Sequence, residues 1–139
     1  MHAIDQQGVG QAIGQIEIAP SAEGATFTGT LTGLKSGEHG FHVHTNGACE
    51  PGPNDAGEIV AGGAAGKHWD PDATGMHRGP TGDGHLGDLP ALAGPDGTAH
   101  IAVTAPRGAG GSAGEGFPRP GHGDGVAAPA LYAVAPVIV

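Results

Sequence analysis

Aromatic and cationic side chains are scarce in this sequence, and each shortage excludes a class of protein. Aromatic residues make up 4% of the 139 residues. Lys and Arg together number 5 against 14 Asp and Glu, which gives a formal net charge of −9. Nucleic acids and anionic membranes attract clusters of basic residues. We therefore expect no nucleic-acid partner and no membrane partner, and the negative charge favours solubility.

Long apolar runs and paired cysteines are also lacking. No stretch approaches the roughly 20 consecutive apolar residues that a membrane-spanning helix needs. Residues 1–10 do not show the charged and then apolar pattern of a secretory signal peptide. Cys49 is the single cysteine. It cannot form an intrachain disulfide, so its thiol is either free or bridged to another chain.

Glycine and proline are abundant, with 29 and 12 residues respectively. This composition favours many short strands and long loops over helices. A chain of this length is long enough to bury a core and matches one domain. The sequence therefore predicts a single, nearly all-β domain over residues 1–139.

Six of the nine histidines lie between residues 37 and 92. Within this stretch, residues 41–44 alternate Phe and Val with His, the period-two pattern of a strand. His42 and His44 would then share one face of that strand. Because a strand rises roughly 3.3 Å per residue, their side chains would start about 7 Å apart. Two imidazoles at this spacing can bind one metal ion.

A second group of possible ligands follows on a segment too rich in Gly and Pro for a helix or a long strand. Its members are His68, His77, His85 and Asp88. Three imidazoles and one carboxylate provide the four ligands of a closed tetrahedral zinc site. The bound ion would supply ordering free energy that such a loop cannot gain from apolar burial. Any one of these histidines taken alone is more often a solvated polar residue, but together they favour a metal site.

The segments GEHGFHVH (37–44) and HLGDLPAL (85–92) resemble the copper,zinc superoxide dismutases. The resemblance is closest to the bacterial periplasmic branch and covers residues 8–107. Motifs of this length with metal-ligand spacing are highly specific. The resemblance implies an antiparallel Greek-key β-sandwich. It also implies a periplasmic or other extracytoplasmic location.

The resemblance also assigns ligands. It implies copper ligands at His42 and His44 and a bridging imidazole at His68, which lies between the two groups in sequence and has two ring nitrogens. The remaining zinc ligands would be His77, His85 and Asp88.

The family pattern stops at residue 107, and residues 108–139 diverge. The strand that carries the family's fourth copper histidine has no counterpart, so we expect one C-terminal strand to be missing. Leu131 replaces the family's active-site arginine. Val134 replaces the second cysteine of the family's disulfide. His122, with Asp124 close behind it, is a candidate replacement fourth copper ligand. An internal deletion or a shifted reading frame would explain this divergence.

These departures favour a zinc-binding, dismutase-like protein whose dismutase activity is absent or weak. Copper binding would be weakened but not excluded. One alternative is an active copper,zinc enzyme that converts superoxide to oxygen and hydrogen peroxide. Another is a periplasmic metal buffer or chaperone that uses His42, His44 and His68. Because a missing strand would expose a sheet edge, and exposed edges pair with other chains, we also expect a homodimer.

The remaining expectations concern local structure. Residues 8–19 and 25–34 predict an opening hairpin, and Thr98 to Ala105 predicts a strand that turns His100 to solvent. Four further side chains are singled out because of their positions. His39 is predicted to point outward, and Lys67 places a cation beside the copper ligands. Asp70 and Asp72 are both expected in a turn, with hydrogen bonding of either one to an imidazole as the alternative.

Overall fold

The computed structural model describes residues 1–21 and 24–105. Over these ranges the fold is built from β-strands and one short 3-10 helix, without an α-helix. No helix in this part of the chain is long and apolar enough to cross a membrane. The all-β prediction is therefore confirmed. The divergent residues 108–139 lie outside the described residues. Two predictions therefore lie outside them as well: His122 as a replacement copper ligand, and the loss of one C-terminal strand.

Within the described residues, nine strands and the 3-10 helix follow one another. They are β1 (His2–Asp5), β2 (Gly8–Ala12), β3 (Gly14–Ser21), β4 (Gly24–Thr32), β5 (Gly37–His39), β6 (Gly52–Pro53), β7 (Ile59–Val60), the 3-10 helix (Gly63–Ala65), β8 (Leu92–Gly94) and β9 (Thr98–Ala105). All strand pairs are antiparallel.

The central sheet has the strand order β3-β4-β9. The pairing of β3 with β4 confirms the predicted opening hairpin, and β9 confirms the strand predicted for residues 98–105. His100 is exposed on β9, as expected. The first predicted strand, however, is divided, and its β2 half pairs with β1 in a hairpin that was not predicted. Gly14 begins β3 with a φ of 145°, a conformation that side chains disfavour, and a Cβ there would collide with the carbonyl oxygen of Thr30.

The inward faces of this sheet form the core. Phe27 and Leu31 on β4 are 1% and 0% exposed, and Ile101 on β9 is also buried. Phe27 meets Phe41 edge to face, with ring centroids 5.7 Å apart. Each such side chain contributes about 1.5–3 kcal/mol on full burial. This packing fixes the position of Phe41, which is the residue before the first metal-site histidine.

Residues 41–44 differ from the predicted strand. They form only two isolated bridges, His42 with Asp88 and His44 with His68. The period-two alternation still holds, because Phe41 and Val43 are buried in the core while the two histidines face the other way. The prediction of a regular strand was wrong, but the predicted facing of its side chains was correct.

The reason for the difference is that residues 41–44 pair with a loop rather than with a neighbouring strand. The N–H of Val43 donates to the carbonyl of Gly87 at 2.9 Å, and its own carbonyl accepts from Trp69 at 2.8 Å. The N–H of Leu89 donates to the carbonyl of Phe41 at 3.1 Å. These bonds fasten the loop to the core residues on both sides of His42.

His39 is also placed differently from the expectation. It is 5% exposed, and its Nε2 lies 2.7 Å from the carbonyl oxygen of Lys35. Its partner across the β5–β8 pair is Leu92, a core residue, so the strand turns His39 inward. The outward placement was wrong, and the contact with Lys35 gives the imidazole a structural partner.

Candidate metal centre

The four predicted zinc ligands lie on the loop between the 3-10 helix and β8. This loop folds back on itself, because the N–H of His85 donates to the carbonyl of Met76 at 2.8 Å and the N–H of Gly87 donates to the carbonyl of Trp69 at the same distance. These bonds bring distant parts of a Gly- and Pro-rich sequence side by side. The loop is therefore ordered around the segment that carries His77, His85 and Asp88.

The four side chains converge on one point. The Oδ1 atom of Asp88 lies 3.0 Å from Nδ1 of His68, 3.4 Å from Nδ1 of His77 and 3.7 Å from Nδ1 of His85. Each of the four residues offers one candidate ligand atom, and these four atoms all lie within 4.8 Å of one another. Zinc ligands at about 2.0–2.1 Å from a tetrahedral ion are roughly 3.3 Å from one another. The three distances to Asp88 scatter around that value.

Asp88 is the buried centre of this group. Its side chain is 5% exposed, against 15% for His68, 12% for His85 and 66% for His77. Burial raises the pKa of Asp88, but hydrogen bonds from His68 and His77 outweigh burial and lower the pKa below its ordinary value. The carboxylate therefore stays ionised.

The Oδ2 atom of Asp88 provides a test of whether a cation fits here. It is buried and has no hydrogen-bond partner. An unsatisfied buried acceptor costs about 1–3 kcal/mol, and more when it is charged. Because three imidazoles face the same carboxylate, the donor set matches the nitrogen and oxygen ligands of zinc. The residues present fit the ion.

His68 connects this group to the second pair of histidines. Its ring stacks on His42 with centroids 3.9 Å apart and meets His44 edge to face at 5.0 Å. Its Nδ1 faces Asp88, so Nε2, on the far edge of the ring, faces away from the carboxylate. Burial, together with neighbouring histidines, lowers the pKa of His68. The residue predicted as a bridge lies between the two groups, and its lowered pKa favours the neutral imidazole.

His42 and His44 offer further ring nitrogens beside His68. Burial first, and then the neighbouring His68, lower the pKa of His42 to about 4. Nδ1 of His44 lies 2.9 Å from the carbonyl oxygen of Gly66, so this nitrogen carries the hydrogen and Nε2 keeps its lone pair. Nδ1 of His42 and Nε2 of His44 are buried without hydrogen-bond partners. Neutral imidazoles with available lone pairs are metal ligands.

Lys67, the cation expected beside the copper ligands, forms an ion pair. The ammonium of Lys67 pairs with Asp55 at 3.2 Å, and both side chains are largely exposed. Exposed pairs of this kind contribute about 0–1 kcal/mol. The backbone of Lys67 also contacts the segment after His44, because its carbonyl accepts from the N–H of Thr45 at 2.9 Å.

Asp70 occupies a turn, as expected, and it also faces the zinc-like group. Its carboxylate accepts from the hydroxyl of Thr74 at 3.0 Å and from the N–H of Gly75 at 2.8 Å. Burial raises the pKa of Asp70, but these hydrogen bonds outweigh burial and lower it. Oδ2 of Asp70 also lies 3.8 Å from Nε2 of His85.

Two structural residues of the site were missed. Gly87 lies so close to the neighbouring backbone that a Cβ there would collide with the carbonyl oxygen of Val43 and approach the N–H of Trp69. Trp69 donates its own N–H to Val43 and packs on the core. Both residues lie within the metal-site stretch, but no pattern in the sequence indicates which backbones approach each other.

Comparison with known proteins agrees with this geometry. The family model of copper/zinc superoxide dismutase matches residues 12–115. Copper-zinc superoxide dismutase 2 of Salmonella typhimurium is 53% identical over 108 residues, and the Escherichia coli copper-zinc superoxide dismutase is 50% identical over 108 residues. Each match covers 77% of this chain and 62% of the relative, so the chain spans less than two thirds of the length of these relatives.

Solved structures give the same result. The Cu/Zn superoxide dismutase from Brucella abortus superposes with a TM-score of 0.68 at 41% identity, covering 76% of this chain and 73% of that one. The monomeric copper, zinc superoxide dismutase from Salmonella enterica gives 0.65 at 51% identity, covering 76% and 69%. With the family model matching well over half of the sequence, this chain belongs to the copper/zinc superoxide dismutase family.

Proposed function

We propose that this chain is a zinc-binding member of the family whose dismutase activity is absent or weak. The observation that carries the proposal is the convergence of three Nδ1 atoms on Oδ1 of Asp88 at 3.0–3.7 Å. Zinc would be held by His68, His77, His85 and Asp88. Since Zn²⁺ has no redox chemistry, its role here would be to order the loop that carries these ligands.

Weak or absent activity follows from the second group of histidines. Superoxide dismutation needs a metal that changes its charge by one electron, and copper would supply that chemistry when bound. His42, His44 and His68 offer three nitrogen ligands for it. By the resemblance described above, the family's fourth copper histidine and active-site arginine would have no counterpart after residue 107. Without that arginine, the anionic substrate loses the cation that would attract it to the site.

Two alternatives follow from the buried lone pairs of His42 and His44. Copper binds nitrogen sites more tightly than zinc does. Three histidines, with or without His122, would then make an active copper,zinc enzyme acting on superoxide. In the other alternative the same face holds copper or zinc loosely, as a metal buffer or chaperone does. One tightly bound ion and one readily exchanged ion per chain would distinguish the buffer.

Location and assembly belong to the same proposal. A periplasmic or other extracytoplasmic location agrees with the resemblance to bacterial enzymes, and the thiol of Cys49 would there be open to bridging with another chain. A homodimer remains our prediction. The Salmonella enterica relative is described as monomeric. Light scattering of the metal-loaded protein gives the mass directly, and a monomeric value contradicts the dimer.

The experiment that tests zinc binding is a titration of the metal-free protein with zinc in competition with a chelator. The wild-type protein should bind one zinc tightly at this group, and the variant Asp88→Asn should lose that binding. The matched control is His100→Ala, because His100 is an exposed histidine on β9 whose Nδ1 lies 3.3 Å from the hydroxyl of Thr30. Equal affinity of Asp88→Asn and wild type would overturn the proposal.

A further inference from the structure

Asp70 and Asp88 approach the imidazole of His85 from opposite edges. Oδ1 of Asp88 lies 3.7 Å from Nδ1, and Oδ2 of Asp70 lies 3.8 Å from Nε2. Both distances are those of an ion pair rather than of a hydrogen bond. The side chains are well shielded from solvent, with His85 12% and Asp70 15% exposed. The ring of His85 therefore lies between two negative charges.

This arrangement determines which nitrogen carries the hydrogen. A neutral imidazole has one N–H, and only the other nitrogen has a lone pair for a metal. If the zinc lies on the Asp88 side, Nδ1 must bind it and the hydrogen must be on Nε2. A carboxylate facing Nε2 favours that tautomer and increases the electron density that the ring offers to the ion.

We propose that Asp70 is a positioning residue for zinc: its carboxylate holds His85 in the tautomer whose Nδ1 binds the ion. The inference rests on the zinc binding proposed above. Asp70 also balances charge, because Zn²⁺ with the carboxylate of Asp88 leaves one positive charge that the carboxylate of Asp70 neutralises. Asp70 does not touch the ion and acts only through His85.

Asp70 is suited to this role because its position is fixed independently of the metal. Its two carboxylate oxygens accept from the hydroxyl of Thr74 and from the N–H of Gly75, which closes the turn after Trp69. A carboxylate braced in this way needs no further ordering when the ion binds. The bracing also suggests a competing explanation, in which Asp70 only maintains the shape of the turn.

Three variants separate these explanations. Asp70→Asn removes the charge and keeps the size of the side chain. Thr74→Val removes one brace and keeps the charge of Asp70. Asp72→Asn removes an exposed carboxylate two residues away and serves as the matched control for net charge. Circular dichroism of each protein confirms that it is folded before its metal binding is compared.

The measurements are zinc affinity by chelator competition and the ¹H–¹⁵N signals of the histidine rings in the zinc-loaded protein. We expect Asp70→Asn to bind zinc about 10–100-fold more weakly than wild type, the usual effect of removing such a partner. The other two variants should stay close to wild type. The Nε2–H signal of His85 should be visible in wild type and broadened by exchange with water in Asp70→Asn.

Two results would overturn the inference. Equal zinc affinity of Asp70→Asn and wild type would show that the carboxylate does not support His85. An equal loss in Thr74→Val would show that Asp70 only braces the turn. A wild-type protein that binds no zinc at this group is a different result, because it refutes the proposed function itself and this inference with it.

Discussion

The Nδ1 atom of His68 lies 3.0 Å from Oδ1 of Asp88, while the ring of His68 stacks on His42. One imidazole thus joins the buried carboxylate of the zinc-like group to the second pair of histidines. Removing His68 should therefore affect two metal sites, whereas removing His77 should affect one.

This gives the first prediction. His68→Ala should weaken binding of zinc and also of a second ion offered to His42 and His44. His77→Ala should weaken zinc alone, because His77 lies on the exposed side of the zinc-like group. Titration with zinc, and then with copper, measures both affinities in each variant. Identical binding profiles of the two variants would contradict the central position of His68.

The second prediction concerns the stability of the metal-free protein in acid. The pKa of His42 is lowered from 6.5 to about 4 in the folded state. The folded protein therefore binds fewer protons than the unfolded chain, and stability is full above about pH 6.5 and falls as the pH drops towards 4. The lowered pKa of Asp88 acts in the same direction, with a further loss below pH 3.8, its ordinary pKa.

Urea unfolding in the presence of a chelator, at pH 7.5, 5.5 and 4.5, measures this dependence. The variant His42→Gln should show a flatter profile over the same range, since one of the titrating groups is gone. A free energy of unfolding that stays constant or rises as the pH falls from 7.5 to 4.5 would refute the prediction.

The third prediction concerns zinc removal. Zinc that binds only the folded protein stabilises it by about 2.7 kcal/mol at a free concentration 100 times its Kd. Chelation should therefore lower the Tm, and restoring zinc should raise it again. Asp88→Asn should not respond to either treatment. If wild type and Asp88→Asn lose the same Tm on chelation, the stabilising ion is bound elsewhere.

The fourth prediction concerns Gly87. A Cβ at this position would collide with the backbone of Val43, so Gly87→Ala must separate the loop from residues 41–44. We expect a loss of about 1–3 kcal/mol in the free energy of unfolding, as for overpacked cores, with weaker zinc binding.

Gly94→Ala is the control for this variant. Gly94 is also buried, but the nearest atom to an added Cβ would be 3.6 Å away, an ordinary contact. Chemical denaturation and zinc titration of both variants make the comparison. Equal behaviour of the two would mean that the close approach at Gly87 does not position the ligands.

The sequence predicted the ligand types better than the backbone that carries them. The spacing of His42 and His44 predicted their common face, because side chains alternate in any extended segment, whether or not it pairs as a strand. Its actual pairing with the loop depends on contacts such as the one between Val43 and Gly87, which lie 44 positions apart. No local pattern encodes a contact of that range.

His39 illustrates the same limit. Its position in a turn-like sequence suggested exposure, but β5 pairs with β8, and that tertiary contact buries it opposite Leu92. Asp70 is the converse case, because the turn around it was predicted from local sequence while its approach to His85 depends on the fold of the whole loop.

The central claim is that the zinc site is kept while the redox function is absent or weak. Elemental analysis after incubation with equal copper and zinc, followed by a dismutase assay on the same sample, tests it most directly. The account predicts about one zinc per chain, no stably bound copper and little or no activity. Copper near one per chain, with rapid and cyanide-sensitive loss of superoxide, would contradict it.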